Sequence, residues 1–276
     1  MPALGVFPVD GGELGFEERG EGPAFVLTHG GLTTGDLWDR EVDQFSTDHR
    51  VVRYDLRGSG RSPSASGRFA YHEDLRALLD HLRVERAHLL GHSLGGAVTV
   101  DFALVHPKRV ASLVLVASAL DGALPTREED DALAARWLRP VEEAEEVGDL
   151  EAATEANLAA WLAGPYRSLR DLDARVVDRA RTLFRSALAS AQGEGIDPVG
   201  PQPPPIERLR HLRAPTLVIV GALDFPHVRE VSDRLASELP HATLRVVPGA
   251  AHFPMLEAPA EFDQAVRGFL NSVDRR

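Results

Sequence analysis

The feature that most constrains the fold is a glycine-flanked serine between a predicted strand and a predicted helix. The pentapeptide Gly91-His92-Ser93-Leu94-Gly95 follows the apolar run 87–90 and precedes the helix-compatible stretch 96–104. A serine in such a sharp turn is held with a strained backbone, and its hydroxyl projects above the edge of a sheet. Side chains at the flanking glycines would collide with the neighbouring strand and helix. The pattern therefore predicts a strand-turn-helix unit that presents Ser93 as a nucleophile.

Apolar strand patterns alternate with helical patterns on both sides of this turn, which implies a mostly parallel sheet covered by helices on both faces. The alternation is interrupted by an Ala/Glu/Arg/Leu-rich helical stretch over 121–191 and by a proline-rich stretch over 193–205, predicted to be an extended connector. We therefore expect an α/β core from residues 1–120 and 206–276, with residues 121–205 inserted as a helical cap, or lid. The predicted strands are a leading hairpin over 6–20 and runs at 24–28, 50–54, 87–90, 110–117, 215–220 and 242–247.

Four candidate groups stand where strands end, and ligands in open α/β sheets bind outside the carboxyl ends of the strands. They are His29-Gly30-Gly31, Ser93, Asp224 and His252. A serine hydroxyl needs a base to remove its proton, and a carboxylate on the other imidazole nitrogen orients that base. We therefore assign Ser93 as nucleophile, His252 as general base and then acid, and Asp224 as the orienting carboxylate. Two alternatives stay open: Asp224 as a cap of the following helix, and Asp121 as the acid.

Acyl transfer also needs donors for the negatively charged oxygen of the tetrahedral intermediate. The N–H of Leu94 directly follows the nucleophile at a predicted helix N-terminus, where free N–H groups favour negative charge. The second donor is expected to be the N–H of Gly31, from the loop after the strand 24–28. His29 is expected to shape this loop by hydrogen bonding rather than to transfer protons.

These motifs together resemble the α/β-hydrolase-fold enzymes that carry a helical cap. The resemblance spans His29-Gly30-Gly31, Asp55-x-Arg57-Gly58-x-Gly60-x-Ser62, Gly91-His92-Ser93-Leu94-Gly95-Gly96, Gly221-x-x-Asp224 and Gly249-x-x-His252. It implies an eight-stranded, mostly parallel sheet flanked by helices. The chain is similar to bacterial esterases, enol-lactonases and cofactor-free haloperoxidase-like enzymes. Haloalkane dehalogenases and epoxide hydrolases of this fold place an aspartate at the nucleophile, so Ser93 argues against both.

In this family the cap selects the substrate. The candidate pocket residues are therefore the large aromatic residues of the predicted cap together with the histidine of the oxyanion loop. The charged run 142–155 within the cap is expected to be a solvated helix face. The pocket candidates are His29, Trp137, Trp161, Tyr166 and Phe184.

Composition excludes several other classes of function. The chain has 276 residues, a formal net charge of −12 and no cysteine, which rules out disulfides, thiolate zinc sites and cysteine nucleophiles. The acidic balance disfavours nucleic acid and anionic membranes as partners. No apolar run approaches the roughly 20 residues of a membrane span, and residues 1–10 lack the pattern of a signal peptide, so a cytoplasmic location is expected. No histidines stand at metal-ligand spacing, so we expect no metal site.

The expected function is that of a serine hydrolase cleaving a small-molecule ester or lactone through an acyl-enzyme at Ser93, with no cofactor. Two alternatives keep the triad and change the reaction, namely carbon–carbon bond hydrolysis and perhydrolysis. A third is a ligand sensor on the hydrolase scaffold, because a fold alone does not prove a function. The sequence predicts neither the oligomeric state nor the physiological substrate.

Overall fold

The structure of the protein, a computed structural model, describes residues 3–62, 67–122, 128–190 and 196–275. Its main sheet has eight strands in the order β1-β2-β4-β3-β6-β7-β9-β10. The leading hairpin pairs antiparallel with itself and with β4, and every other neighbouring pair is parallel. The predicted α/β fold with a mostly parallel eight-stranded sheet is confirmed. The strands are β1 (Ala3–Val9), β2 (Gly12–Arg19), β3 (Ala24–Thr28), β4 (Arg50–Tyr54), β5 (Gly67–Phe69), β6 (Ala87–His92), β7 (Val110–Val116), β8 (Ile196–Pro198), β9 (Thr216–Gly221) and β10 (Ala242–Val247).

Helices cover both faces of the sheet, and each face has its own hydrophobic core. The central strands β3, β6 and β9 are buried along their whole length, as expected for parallel strands covered on both sides. One core takes side chains from α2, α3 and α7, and the other from α1 and α9. The helices are α1 (Asp39–Phe45), α2 (Tyr71–His81), α3 (Leu94–Val105), α4 (Glu128–Glu146), α5 (Leu150–Asn157), α6 (Ala174–Ser190), α7 (Pro226–Glu238), α8 (Pro254–Glu257) and α9 (Pro259–Asp274).

Helices α4, α5 and α6, with a π-helix at Leu158–Ala163, form a helical segment (residues 128–190) between β7 and β9. These two strands are parallel neighbours in the sheet, so the chain that joins them returns from the carboxyl end of β7 to the amino end of β9. Leu158, Leu162 and Phe184 are fully buried in the same core as Phe253, next to the end of β10. The segment is thus packed onto the strand ends. That residues 121–205 form a separate cap stays a prediction.

The prediction that residues 193–205 form an extended connector rather than a packed element is wrong for residues 196–198. Residues 196–198 form β8, which pairs in parallel with β5 in a separate two-stranded sheet. Strands of three residues are too short to show a period of two, so the sequence pattern could not reveal them. Residues 191–195 lie outside the described residues. Within the described residues no helix combines the length and the apolar character needed to cross a membrane.

Candidate active site

Ser93 occupies a strained turn between β6 and α3. Its backbone lies at φ 51° and ψ −116°, in the region of positive φ that residues other than glycine rarely adopt. The flanking glycines are required sterically: a Cβ on Gly91 would lie 2.2 Å from the carbonyl oxygen of Gly95, and one on Gly95 would lie 2.4 Å from the carbonyl oxygen of Thr28. The N–H of Ser93 donates to the carbonyl of Val116 over 2.9 Å, which ties the turn to β7. The neighbouring strands therefore hold the strained conformation that the motif predicted.

Asp224 and His252 meet above the ends of β9 and β10. The Nδ1–H of His252 donates to Oδ2 of Asp224 over 2.8 Å, and the other carboxylate oxygen accepts the N–H of Phe225 over 2.8 Å. Asp224 is fully buried and His252 is 4 % exposed. Because Nδ1 carries the proton, Nε2 is the nitrogen left to accept one. Phe225, rather than Asp224, is the N-cap of α7 and has no side-chain cap bond, so the helix-capping alternative finds no support.

The position of His252 is fixed from two sides. Its N–H donates to the carbonyl of Trp161 in the π-helix, and its carbonyl accepts from Nε2 of His92 over 2.9 Å. The indole ring of Trp161 packs against the imidazole with ring centroids 4.7 Å apart. Burial, helped by the nearby His252, holds the pKa of His92 well below its ordinary value, so His92 acts as a neutral donor.

Asp121 lies elsewhere. It is exposed beyond β7, and its charge acts on Asp101 of α3. Burial, with a contribution from Asp121, raises the pKa of Asp101 to about 7. Of the two acids considered, only Asp224 is hydrogen-bonded to His252 in the described part of the chain.

The loop after β3 lies against Ser93 and is shaped by a buried histidine. Nδ1 of His29 donates to the carbonyl of Gly30 over 2.7 Å, and its Nε2 accepts the N–H of Leu56 over 2.8 Å. Burial lowers the pKa of His29, in keeping with a neutral ring that makes one donor and one acceptor bond. A Cβ on Gly30 would lie 3.1 Å from Cβ of Ser93, so the loop passes directly beside the serine.

Two cavities open beside the serine, and Ser93, Trp161 and His252 line both. The larger has a volume of about 460 Å³ and is also lined by Gly31 and Leu94, the two expected oxyanion donors. The smaller has a volume of about 240 Å³ and lies on the side of α7. Leu94 is the first residue of α3, where backbone N–H groups have no acceptor within the helix. Ser93, His252 and the two residues expected to supply oxyanion donors therefore line a common space of a size suited to a small molecule.

The alpha/beta hydrolase fold family matches residues 23–259 of the chain. The chain belongs to this family. A Variovorax paradoxus protein provisionally named as the carbamate hydrolase RutD is 32% identical over 94% of this chain and 97% of its own length. The pimeloyl-[acyl-carrier protein] methyl ester esterase of Aeromonas hydrophila is 29% identical over 92% of this chain and 98% of its own. The crystal structure of the esterase RhEst1 from Rhodococcus sp. ECU1013 is 25% identical, covers 99% of both chains and gives a TM-score of 0.79.

Of the five pocket residues predicted for this alpha/beta hydrolase, the structure brings only Trp161 to the two cavities. Trp137 packs against the apolar cluster around Val141 and Phe225, and Tyr166 is 53 % exposed on the surface. Phe184 is fully buried against Phe253, and His29 is buried under the oxyanion loop. Helical spacing identifies an apolar face but does not distinguish a side chain facing a core from one facing a cavity. We therefore do not retain these four as pocket residues.

Several cavity-lining residues were missed by sequence reasoning. Phe253 directly follows the histidine, and its position beside His252 was the available signal. Glu142 and Glu145 line the larger cavity, where a solvated helix face was expected. Both glutamates are exposed to solvent, as expected, but the sequence did not predict that they line the cavity.

Proposed function

We propose that this alpha/beta hydrolase is a serine hydrolase that cleaves a small carboxylic ester or lactone through an acyl-enzyme on Ser93. The observation that carries the proposal is the 2.8 Å hydrogen bond from His252 to the buried Asp224, beside cavities that Ser93 and His252 both line. A buried carboxylate on Nδ1 holds the imidazole in the tautomer that can accept a proton at Nε2, and it stabilises the imidazolium that forms.

The first half of the reaction forms the acyl-enzyme. Nε2 of His252 takes the hydroxyl proton of Ser93 as Oγ bonds to the carbonyl carbon of the substrate. The carbonyl oxygen becomes an oxyanion, which accepts hydrogen bonds from the N–H groups of Leu94 and Gly31; both residues line the cavity. The intermediate then collapses, the bond to the alkoxy oxygen breaks, and His252 returns the proton to that oxygen. From an ester the alcohol leaves, whereas from a lactone it remains attached to the acyl group.

The second half regenerates the enzyme. His252 takes a proton from water as the water oxygen bonds to the acyl carbon, and a second oxyanion forms in the same place. Collapse breaks the bond to Oγ, Ser93 recovers a proton from His252, and the acid is released. Removing one oxyanion donor from a site of this kind typically costs roughly 2.7–4 kcal/mol of transition-state stabilisation.

The test compares the wild type with Ser93→Ala on p-nitrophenyl esters of increasing acyl length and on a fluorophosphonate probe. Ser118→Ala is the matched control, because Ser118 lines the smaller cavity and bonds to the carbonyl of Ala119. Turnover and labelling that disappear in Ser93→Ala but persist in Ser118→Ala would support the proposal. Labelling of Ser93 without turnover of any ester or lactone would contradict the substrate class and favour carbon–carbon hydrolysis or perhydrolysis. The absence of both turnover and labelling in a folded wild type would refute the serine mechanism and favour a sensor.

A further inference from the structure

The larger cavity beside Ser93 has a carboxylate wall. Glu142 and Glu145 both line it and lie three residues apart on α4, on one face of that helix. Asn157 of α5 lines the cavity with them, and its Nδ2 donates to Oε1 of Glu145 over 3.4 Å. Two carboxylate side chains therefore line the space in which the substrate of Ser93 would lie.

The smaller cavity has the same sign of charge. Glu230 of α7 lines it together with His227. Burial lowers the pKa of His227, whereas the charges of Asp224, Asp130 and Asp131 act to raise it. These three carboxylates therefore lie close enough to His227 to act on its charge. Carboxylates thus line the cavities on both sides of Ser93.

The described residues of the two cavities offer Glu142, Glu145 and Glu230 no lysine or arginine as a partner. The rest of the larger wall is mostly apolar, with Leu138, Val141 and Phe253 among its members. A cleft lined by one sign of charge between low-dielectric walls focuses the field on what enters it. An anionic substrate would be repelled there, and a cation carrying alkyl groups would match both the charge and the apolar walls.

We propose that the substrates of this enzyme carry a cationic group, an alkylammonium, which Glu142 and Glu145 hold while Ser93 attacks the ester carbonyl. This inference rests on the proposed ester or lactone hydrolysis and specifies its substrate class. The site is the cavity of the nucleophile, and the two glutamates determine which substrates it accepts.

The test uses two pairs of esters that differ in one charge. In the first pair, butyrylthiocholine is compared with the neutral thioester in which carbon replaces the ammonium nitrogen, so the charge lies on the leaving group. In the second, the p-nitrophenyl ester of trimethylammonio-butyrate is compared with its neutral carbon isostere, so the charge lies on the acyl group. The measurement is the cation-to-neutral ratio of kcat/KM at low ionic strength.

We expect a ratio of about tenfold in at least one pair, because each of two cleft carboxylates contributes about two- to fivefold. The double variant Glu142→Gln/Glu145→Gln should bring the ratio close to one. The matched control is Glu143→Gln/Glu146→Gln, which removes the same charge at the same spacing from α4 at exposed positions that line neither cavity. This control should keep the wild-type ratio, and added salt should lower it in the wild type.

Equal rates for the charged and neutral esters of both pairs, or an unchanged ratio in the cavity double variant, would overturn the inference while leaving ester hydrolysis standing. Absence of turnover on every ester would instead refute the proposed function. In that case calorimetric titration with phenyltrimethylammonium decides the cation preference separately. Binding that weakens in the cavity variant but not in the control supports it, and equal affinity for all three proteins refutes it.

Discussion

Glu41 is a carboxyl group buried in α1, far from the proposed chemistry, and it should govern the pH dependence of stability. Its side chain is 2 % exposed, and its Oε1 has no hydrogen-bond partner among the described residues. The nearest cation is Arg40, whose guanidinium lies 3.9 Å away and also pairs with Asp263 over 2.6 Å. Burial raises the pKa of Glu41 from its ordinary 4.5 to about 8, with Asp263 adding to the effect. The variant Glu41→Gln keeps the shape and removes the ionisation.

The size of the effect follows from proton linkage. Above pH 4.5 the unfolded chain loses the Glu41 proton, whereas the folded protein retains it until about pH 8. The stability contributed by the protonated form is therefore complete below pH 4.5 and is lost progressively as the pH rises to 8. One pKa unit corresponds to about 1.4 kcal/mol. Between pH 5 and pH 7 the wild type should consequently lose about 2.5 kcal/mol of unfolding free energy relative to Glu41→Gln.

The assay is urea denaturation of both proteins at pH 5, 6 and 7, taking the difference in unfolding free energy at each pH so that other titrating groups cancel. Asp43→Asn serves as the control, because it removes one exposed carboxylate from the same helix. A difference between the wild type and Glu41→Gln that stays constant from pH 5 to pH 7 would refute the reasoning.

Three further predictions concern the site itself. Asp224→Asn should fold normally and lower kcat by about 10⁴-fold, because the asparagine holds His252 in the wrong tautomer. Asp121→Asn should retain activity. The reverse pattern would show that the acid is Asp121 and not Asp224. Gly95→Ala should lower the unfolding free energy by about 1–3 kcal/mol and reduce labelling of Ser93 by the fluorophosphonate probe, because the new Cβ would lie 2.4 Å from the carbonyl oxygen of Thr28. A variant that melts and is labelled like the wild type would contradict this steric argument. Trp161→Ala should lower kcat/KM by roughly tenfold to a hundredfold through misplacement of the base, and Tyr166→Ala should leave it unchanged, which steady-state kinetics on one ester would check.

The parts of the site that the sequence predicted are those governed by local backbone geometry. Ser93 could be placed because a strand, two glycines and a helix leave one way to turn, and the structure shows the strained φ that this turn requires. Asp224 and His252 could be paired because parallel strands bring their carboxyl ends to one edge of the sheet. Their 2.8 Å contact needs only the strand order and the lengths of two short loops.

The parts that the sequence could not predict depend on packing between distant elements. Tyr166 and Trp161 are both aromatic residues of the helical segment, yet Tyr166 is 53 % exposed and Trp161 contacts the imidazole of His252. Trp161 lies in the π-helix at Leu158–Ala163, whereas Tyr166 lies in the turn beyond that helix, and composition indicates neither position. The pairing of β5 with β8 was missed for a related reason, because residues 67–69 and 196–198 meet only in the folded chain.

The hydrogen bond from the N–H of His252 to the carbonyl of Trp161 has a consequence for anyone who wishes to redesign this enzyme. It joins the helical segment to His252 through main-chain atoms. Gly164, just beyond Trp161, approaches the carbonyl of Leu223 so closely that a Cβ would lie 2.6 Å away. The segment is therefore not a freely exchangeable cassette. A chimaera that grafts specificity from a relative should have its junctions within α4 and α5 and keep residues 158–164 of this chain, because moving them also moves His252.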